Sequence, residues 1–344
     1  MSRTLKIAAI QMDATPSPLD ERLNRAVDLI AEAVTSGAQL IVLPELFNTG
    51  YEYHERNYDL AERLDGTTVT WMKTQAAQHG IHLAGALLLL DGSDIYNTAL
   101  LIAPNGQVWR YDKNYPFLWE RAFFRAGNHI TVADTELGKL GMMICWDAAH
   151  PAMWQQYTGQ IDAMVVMSCP PKLSSADLVF PDGGRVNVRD LGGLWQGMYT
   201  DEEYFPGRDM DEHAAWLGVP VVNTAGGGKF RSKMPLSKLS LFSYLLLRPD
   251  LWSKLRDASK VQIEAGYDPQ TKVIAANGQV MSRVNSPGDG LVMSEVALAD
   301  DLPQPQDAQP NMRTSPFTFF GVDTFGSTLM AFVYRLNRRH FKQT

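Results

Sequence analysis

Apolar positions along this chain change their spacing several times, and each change marks an element. Leu5 to Gln11 is a short, nearly continuous apolar run, which predicts a buried strand. From Glu21 to Ala38 the spacing lengthens. Leu23, Ala26, Val27, Ile30, Ala31 and Val34 fall on one helical face, and Gly37 supplies a stop. Leu40 to Leu43 reads as a buried strand again. The pattern then predicts a helix over Val69 to His79 and a strand over Ile81 to Leu90. Asn97 to Ala103 is its hairpin partner, beyond the turn residues Asp91, Gly92 and Ser93. Leu140 to Ile144, Ala163 to Met167 and Val219 to Asn223 add apolar strands, with a helix from Ala152 to Gly159 between the first two. Such alternation predicts an α/β layered fold.

Two stretches depart from this regular pattern. An insert at 229–265 is both apolar and basic, with Leu239, Leu241, Phe242, Leu245, Leu246, Leu247, Leu251 and Trp252. After 301–316, rich in Pro, Gln and Asp and read as an extended linker, comes a C-terminal extension at 317–344. It holds Phe317, Phe319, Phe320, Phe325, Leu329, Met330, Phe332, Val333 and Tyr334, then Arg335, Arg338, Arg339 and Lys342. A lid, an oligomer surface or a membrane-facing patch all suit such residues. Packing against the body or a second subunit is the plainest expectation, and aromatic plus basic residues also allow peripheral membrane contact. A spanning helix is not expected. Gly321, Asp323, Gly326 and Ser327 interrupt the run, where a bilayer needs about 20 apolar residues.

Composition narrows the function classes. The 344 residues allow one large α/β domain, taken here as 1–300, and 45% apolar residues suffice for its core. A formal charge of -7 with no broad basic stripe argues against nucleic acid as a partner and for a small molecule. Cys145 and Cys169 are the two cysteines, too few for a disulfide framework. The chain enters a strand almost at once, without the apolar stretch of a secretion signal, so a cytoplasmic location is the default expectation.

Candidate chemistry gathers at strand ends. Cys145 closes the apolar run Gly141, Met142, Met143, Ile144 and precedes Trp146 and Asp147. Glu45 closes Leu40 to Pro44, and Lys113 lies in Tyr111-Asp112-Lys113-Asn114-Tyr115. A cysteine attacks as its thiolate, which a nearby carboxylate can generate. A lysine and a backbone N–H, here Lys113 and the Trp146 amide, can then stabilise the anion that forms on the attacked group. Glu45 can return its proton to a departing amine if burial raises its pKa. Each residue alone has an ordinary reading: a small buried thiol, a solvated loop carboxylate, a surface lysine. Their order, and the placement of Glu45 and Cys145 after apolar strands, favour the catalytic one.

These segments resemble the nitrilase superfamily of carbon-nitrogen hydrolases, whose catalytic residues are Glu, Lys and Cys in that chain order. The similarity runs from residue 5 to about 298 and rests on Leu43-Pro44-Glu45, the Tyr111 to Phe117 segment around Lys113, and Ile144-Cys145-Trp146-Asp147. Trp119-Glu120-Arg121-Ala122-Phe123-Phe124-Arg125-Ala126-Gly127 resembles the family's second-glutamate segment, which implies that Glu120 holds Lys113 and assists proton transfer. Val219 to Asn223 is similar to another family strand, and Gly266 to Val280, with Asp268, Pro269, Asn277 and Gly278, to a family hairpin. The resemblance implies a four-layer αββα sandwich, no metal or organic cofactor, a homo-oligomer, and a pocket that includes Tyr51, Trp119 and Cys169. The expected reaction is hydrolysis of a non-peptide carbon-nitrogen bond, an amide first. A nitrile is the alternative substrate, although Asp147 stands where nitrilases usually carry glutamate. Acyl transfer to an amine also fits the same residues. A non-catalytic scaffold of the same fold is the contrasting class, against which all four of Glu45, Lys113, Glu120 and Cys145 count.

Other motifs carry less. Gly226-Gly227-Gly228-Lys229 lacks the spacing and following hydroxyl of a phosphate loop and reads as a flexible loop near the pocket. His79 and His82 straddle a helix end and a strand with no third ligand, so no metal site is expected. Cys169 before Pro170 and Pro171 reads as a buried thiol leading into a rigid turn.

Overall fold

A computed structural model describes residues 3–192, 207–268, 270–305 and 307–338. Arg3–Asp13 is the backbone of a seven-stranded sheet. On one side Leu40–Val42 pairs with it in parallel and His82–Asp91, Asp94–Ile102 and Val108–Asp112 follow in order. Gly290–Leu298 runs antiparallel to it along almost its whole length. The period-two geometry of a strand divides its side chains between two cores. Leu5, Ile7 and Ala9 join the core shared with a second sheet. Ala8, Ile10 and Met12 pack with Leu23, Ala26, Ile30, Val69 and Met72 from the helices Leu19–Thr35 and Thr67–His79.

The second sheet has six strands in the order Val280–Arg283, Lys272–Ile274, Val221–Thr224, Ala163–Met167, Gly138–Ile144 and Val132–Thr135. Helices Pro151–Gln156 and Asp209–Leu217 cover it with Trp154, Met210, Ala214 and Leu217. The architecture is the αββα sandwich. Small boundary differences have local causes. The helix over 19–35 stops short of Ala38 as the chain turns through Gly37 at φ 83°. The helix after Pro151 ends at Gln156 because Tyr157 turns inward, its hydroxyl donating to the Met142 carbonyl at 2.6 Å. Pro220, lacking an N–H, delays the strand over 219–223 to Val221.

The insert forms a small sheet that the alternation of the main strands gave no hint of. Lys229–Lys233 and Gln262–Gly266 pair antiparallel, and the latter adds to Asp177–Val179 and Arg185–Asn187. A helix, Ser237–Leu245, and a 3-10 run, Pro249–Lys260, connect the first two strands. Phe230, Leu241, Tyr244 and Ile263 point into a core with Tyr51, Tyr53, Trp119 and Cys169. The expected flexible loop at Gly226 is instead a strand, Gly226–Gly227, paired with Met12 and Asp13. Glycine is required there because a Cβ at Gly227 would meet the Pro287 carbonyl at 2.7 Å, and one at Gly226 would collide with the Cys169 sulfur.

The linker is a tethered strap. Arg313 donates to Asp209 at 2.7 Å and to Glu212 at 2.6 Å, and Gln309 to the Pro151 carbonyl at 2.7 Å. Pro316–Phe319, Phe320–Gly326 and Ser327–Asn337 then follow without a break as α, π and α turns. This segment folds back onto its own chain: the Ile95 N–H donates to the Tyr334 hydroxyl at 2.8 Å, and Val322 and Met330 are buried. No described helix is long and apolar enough to cross a membrane. Pro269, Arg339 and Lys342 lie outside the described residues.

Candidate active site

Three chain segments from different strands deliver the site. Glu45 lies just beyond Leu40–Val42, Lys113 directly follows Val108–Asp112, and Cys145 directly follows Gly138–Ile144. Each segment turns sharply: Leu46, Leu118 and Cys145 hold positive φ of 52°, 41° and 47°. Such angles cost a non-glycine residue about 1–2 kcal/mol each, and their concentration here points to a function that the surrounding packing enforces.

Lys113 is the hub. Its ammonium donates to Glu45 Oε1 and to Glu120 Oε2, both at 2.7 Å, and its side chain is wholly buried. Two of its three N–H groups are thereby used and one remains for a substrate. Glu120 is held in turn by the Phe117 N–H at 2.7 Å and by the Tyr51 hydroxyl. Glu45 Oε1 also accepts from Asn97 Nδ2 at 2.7 Å. Its other oxygen, Oε2, is buried and has no hydrogen-bond partner among the described residues.

The electrostatics follow from burial. Removal from water pushes the Glu45 carboxyl up to about 7, against the pull of Lys113 and with the help of Glu120. Burial also favours the neutral amine of Lys113, but the flanking charges of Glu120 and Glu45 outweigh it and hold the ammonium well above the ordinary lysine range. Burial first, and the Glu45 charge second, push the Cys145 thiol well above its usual range. A neutral thiol, a carboxyl that titrates near neutrality and a permanent cation therefore share one water-poor space.

Asp147 fixes the turn that carries Cys145. Its carboxylate accepts from the Ile144 N–H at 3.1 Å and the Tyr111 hydroxyl at 2.7 Å, and its second oxygen from the Tyr115 N–H at 2.7 Å. It thus ties the Cys145 turn to the segment that bears Lys113. Of the remaining sequence candidates, Tyr51 bonds the cluster directly. Trp119 packs edge-on against Tyr53, with ring centres 5.4 Å apart, one layer further out. Cys169 presents its backbone N–H to the Cys145 sulfur, while its own thiol is buried against Gly226.

Sequence reasoning missed three contributors. Asn97 was read only as part of a strand, although a buried amide amid apolar neighbours is a signal. His150 and Asp323 gave none. The Trp146 indole donates to Asp323 Oδ1 at 2.9 Å, His150 Nε2 meets Asp323 Oδ2 at 2.9 Å, and His150 Nδ1 meets the Trp146 carbonyl at 2.9 Å. Tyr115 stacks on His150 with centroids 3.6 Å apart. The C-terminal segment thus clasps Trp146, the residue next to Cys145. Asp323→Ala would remove the carboxylate that meets both the Trp146 indole and the His150 ring and is expected to lower stability by about 1–3 kcal/mol. Urea denaturation checks this, and an unchanged midpoint would show that the clasp holds nothing.

The carbon-nitrogen hydrolase family model matches residues 6–177, half of the chain. A nitrilase of Pyrococcus abyssi is 35% identical over 151 residues, 43% of this chain and 58% of the relative. A 2-oxoglutaramate amidase of Bacillus subtilis is 28% identical over 156 residues, 44% of this chain and 60% of the relative. The chain thus spans about three fifths of the length of these two relatives. Among solved structures, an amidase from Nesterenkonia sp. superposes with a TM-score of 0.62 at 19% identity, covering 88% of this chain and 92% of that one. A Saccharomyces cerevisiae member of branch 10 of the nitrilase superfamily gives 0.61 at 19% identity, covering 86% and 91%. At these identities the superpositions speak for the fold alone.

Proposed function

The chain belongs to the carbon-nitrogen hydrolase family, and from that premise we propose that it hydrolyses an amide through a thioester on Cys145. The observation that carries this reading is Glu45: one carboxylate oxygen is anchored by Lys113 and Asn97, and the other is buried with no hydrogen-bond partner among the described residues. An anchored carboxylate with a free oxygen, titrating near neutrality, can both take and return a proton.

In this mechanism Glu45 accepts the Cys145 proton as sulfur bonds to the amide carbon, and the carbonyl π pair moves onto oxygen. The remaining Lys113 N–H and the Trp146 amide stabilise that oxyanion. As the oxyanion collapses, the C–N bond breaks and Glu45 passes its proton to the departing nitrogen, leaving a thioester and ammonia or an amine. A water molecule then gives a proton to Glu45 and attacks the thioester. The carboxylic acid departs and the sulfur regains its proton. Glu120 positions Lys113 through their 2.7 Å hydrogen bond.

A nitrile is the second reading, favoured by the 35% identity to a protein named nitrilase. The same thiol would add to the nitrile carbon to give a thioimidate. Release of ammonia and carboxylate from short and long-chain amides, N-carbamoyl compounds and nitriles separates the two. Cysteine-dependent turnover of amides without nitriles supports the first reading, and turnover confined to nitriles overturns it.

Ionisation of Glu45 sets a pH dependence. Glu45 acts on the thiol only when ionised, so kcat/KM is expected to climb as pH rises and to level off above about 7, where the buried carboxyl has lost its proton. Stability runs the other way. The unfolded chain releases this proton near the ordinary carboxyl value of 4.5 and the folded one near 7, so the folded state binds more protons between them. Stability should fall as pH rises across that window. A pH–rate profile with no acid limb near neutrality would remove Glu45 as the base.

A further inference from the structure

We propose that the outward face of the insert and the C-terminal helix is a docking surface for an anionic lipid membrane, which the protein binds without crossing. Among the described residues fourteen large apolar side chains are exposed, and eleven of them lie at 236–252 and 317–336. Leu247, Phe325 and Phe332 are 57%, 65% and 57% exposed. Concentration of this kind marks an interaction site, whereas scattered surface leucines do not.

The folded core has no claim on these residues. Ser237–Leu245 buries Leu241, Tyr244 and Leu245 on one face and presents Leu239 and Phe242 on the other. Ser327–Asn337 buries Met330 and Tyr334 and presents Phe332 and Leu336. Each helix is therefore apolar on two faces, one satisfied and one not. The two elements adjoin. Met234 and Leu236 at the entry to the insert helix, and Val333 and Leu336 of the C-terminal helix, line one cavity of about 470 Å³ that Tyr53 and Phe123 also bound.

Charge identifies the occupant. Residues 229–265 hold eight basic and three acidic side chains, and 317–338 two basic and one acidic, a net +6. The rest of the chain is left at -13. Lys233, Lys238, Arg256 and Arg335 form no ion pair among the described residues. Exposed aromatic and aliphatic side chains that share their segments with unpaired, exposed cations suit the boundary between anionic headgroups and acyl chains, where each lysine or arginine adds about 1 kcal/mol. A second copy is the poorer occupant, because a two-fold interface would set this positive face against itself.

Co-sedimentation of the full chain with vesicles tests the proposal. Binding is expected to vesicles of phosphatidylcholine with phosphatidylserine, to be weaker by about tenfold or more with phosphatidylcholine alone, and to fall as salt rises. Phe325→Ser with Phe332→Ser should reduce it by about tenfold or more through lost apolar insertion. Lys238→Glu with Arg335→Glu should remove the preference for phosphatidylserine. All four positions are on the surface, and a native circular dichroism spectrum verifies folding. Absence of binding to both vesicles overturns the proposal. So does a dimer, measured by light scattering, that Phe332→Ser splits while wild type ignores vesicles.

Discussion

Cys145→Ala is expected to lower turnover by about 10⁴-fold or more, since removing a nucleophile leaves only binding and oxyanion stabilisation. The substitution deletes one sulfur atom at the end of an apolar strand, so the protein should remain folded. The two thiols are clearly separated in role by their surroundings. Cys145 stands beside the Glu45 carboxylate and the Lys113 ammonium and retains 6% exposure. Cys169 is 1% exposed and wedged against Gly226, and burial pushes its thiol above the usual range. A small electrophilic amide such as chloroacetamide should therefore add once per chain, at Cys145. Mass spectrometry of intact protein and peptides reads the result. Labelling that persists in Cys145→Ala, or turnover that survives it, would assign the chemistry elsewhere. Failure to label wild type across a range of electrophiles would favour the scaffold reading.

Why the strands and the catalytic candidates were legible, and the outer elements were not, has a physical basis. Runs such as Leu40 to Leu43 and Leu140 to Ile144 are buried on both faces, so composition alone reveals them. Glu45 and Cys145 were visible because reactive side chains follow those runs, and Lys113 because its segment falls between them in the order that the chemistry needs. Their meeting was not legible, since it depends on how two sheets stack. The insert misled for a related reason. Its strand Lys229–Lys233 alternates clearly, with Phe230 and Ser232 inward, but it is only five residues long and lies beside glycines that suggest a loop. Its helix is apolar on both faces, which erases the periodicity that a helix ordinarily shows. Asp323 is the extreme case. It lies 177 residues from the Trp146 indole it accepts from, and its contact depends wholly on how the C-terminal segment folds back.

Lys113→Met tests the interior of the cluster and should have the largest combined effect on activity and stability. The substitution keeps the length of the chain but removes a charge that bonds Glu45 and Glu120 at 2.7 Å each, with all three side chains at most 2% exposed. Two buried carboxylates would then face one another with no cation between them. Breaking a buried pair by removing one partner costs about 3–5 kcal/mol. The oxyanion donor is lost as well, worth about 10²–10³ in kcat on its own, so turnover should fall at least that far. Destabilisation and lost catalysis can be told apart by a second change. Glu120→Gln in the Lys113→Met background removes the like-charge repulsion and preserves the shape of the side chain. It should return about 0.5–3 kcal/mol of stability as a coupling energy, and it should return no activity, because neither the cation nor its hydrogen bond to the oxyanion is restored. Urea denaturation and kcat measured on the single and double variants give both quantities. If Lys113→Met is as stable as wild type and loses less than about tenfold in kcat, Lys113 is not the cation that joins the two carboxylates, and both the mechanism and the electrostatic account of Glu45 fail together.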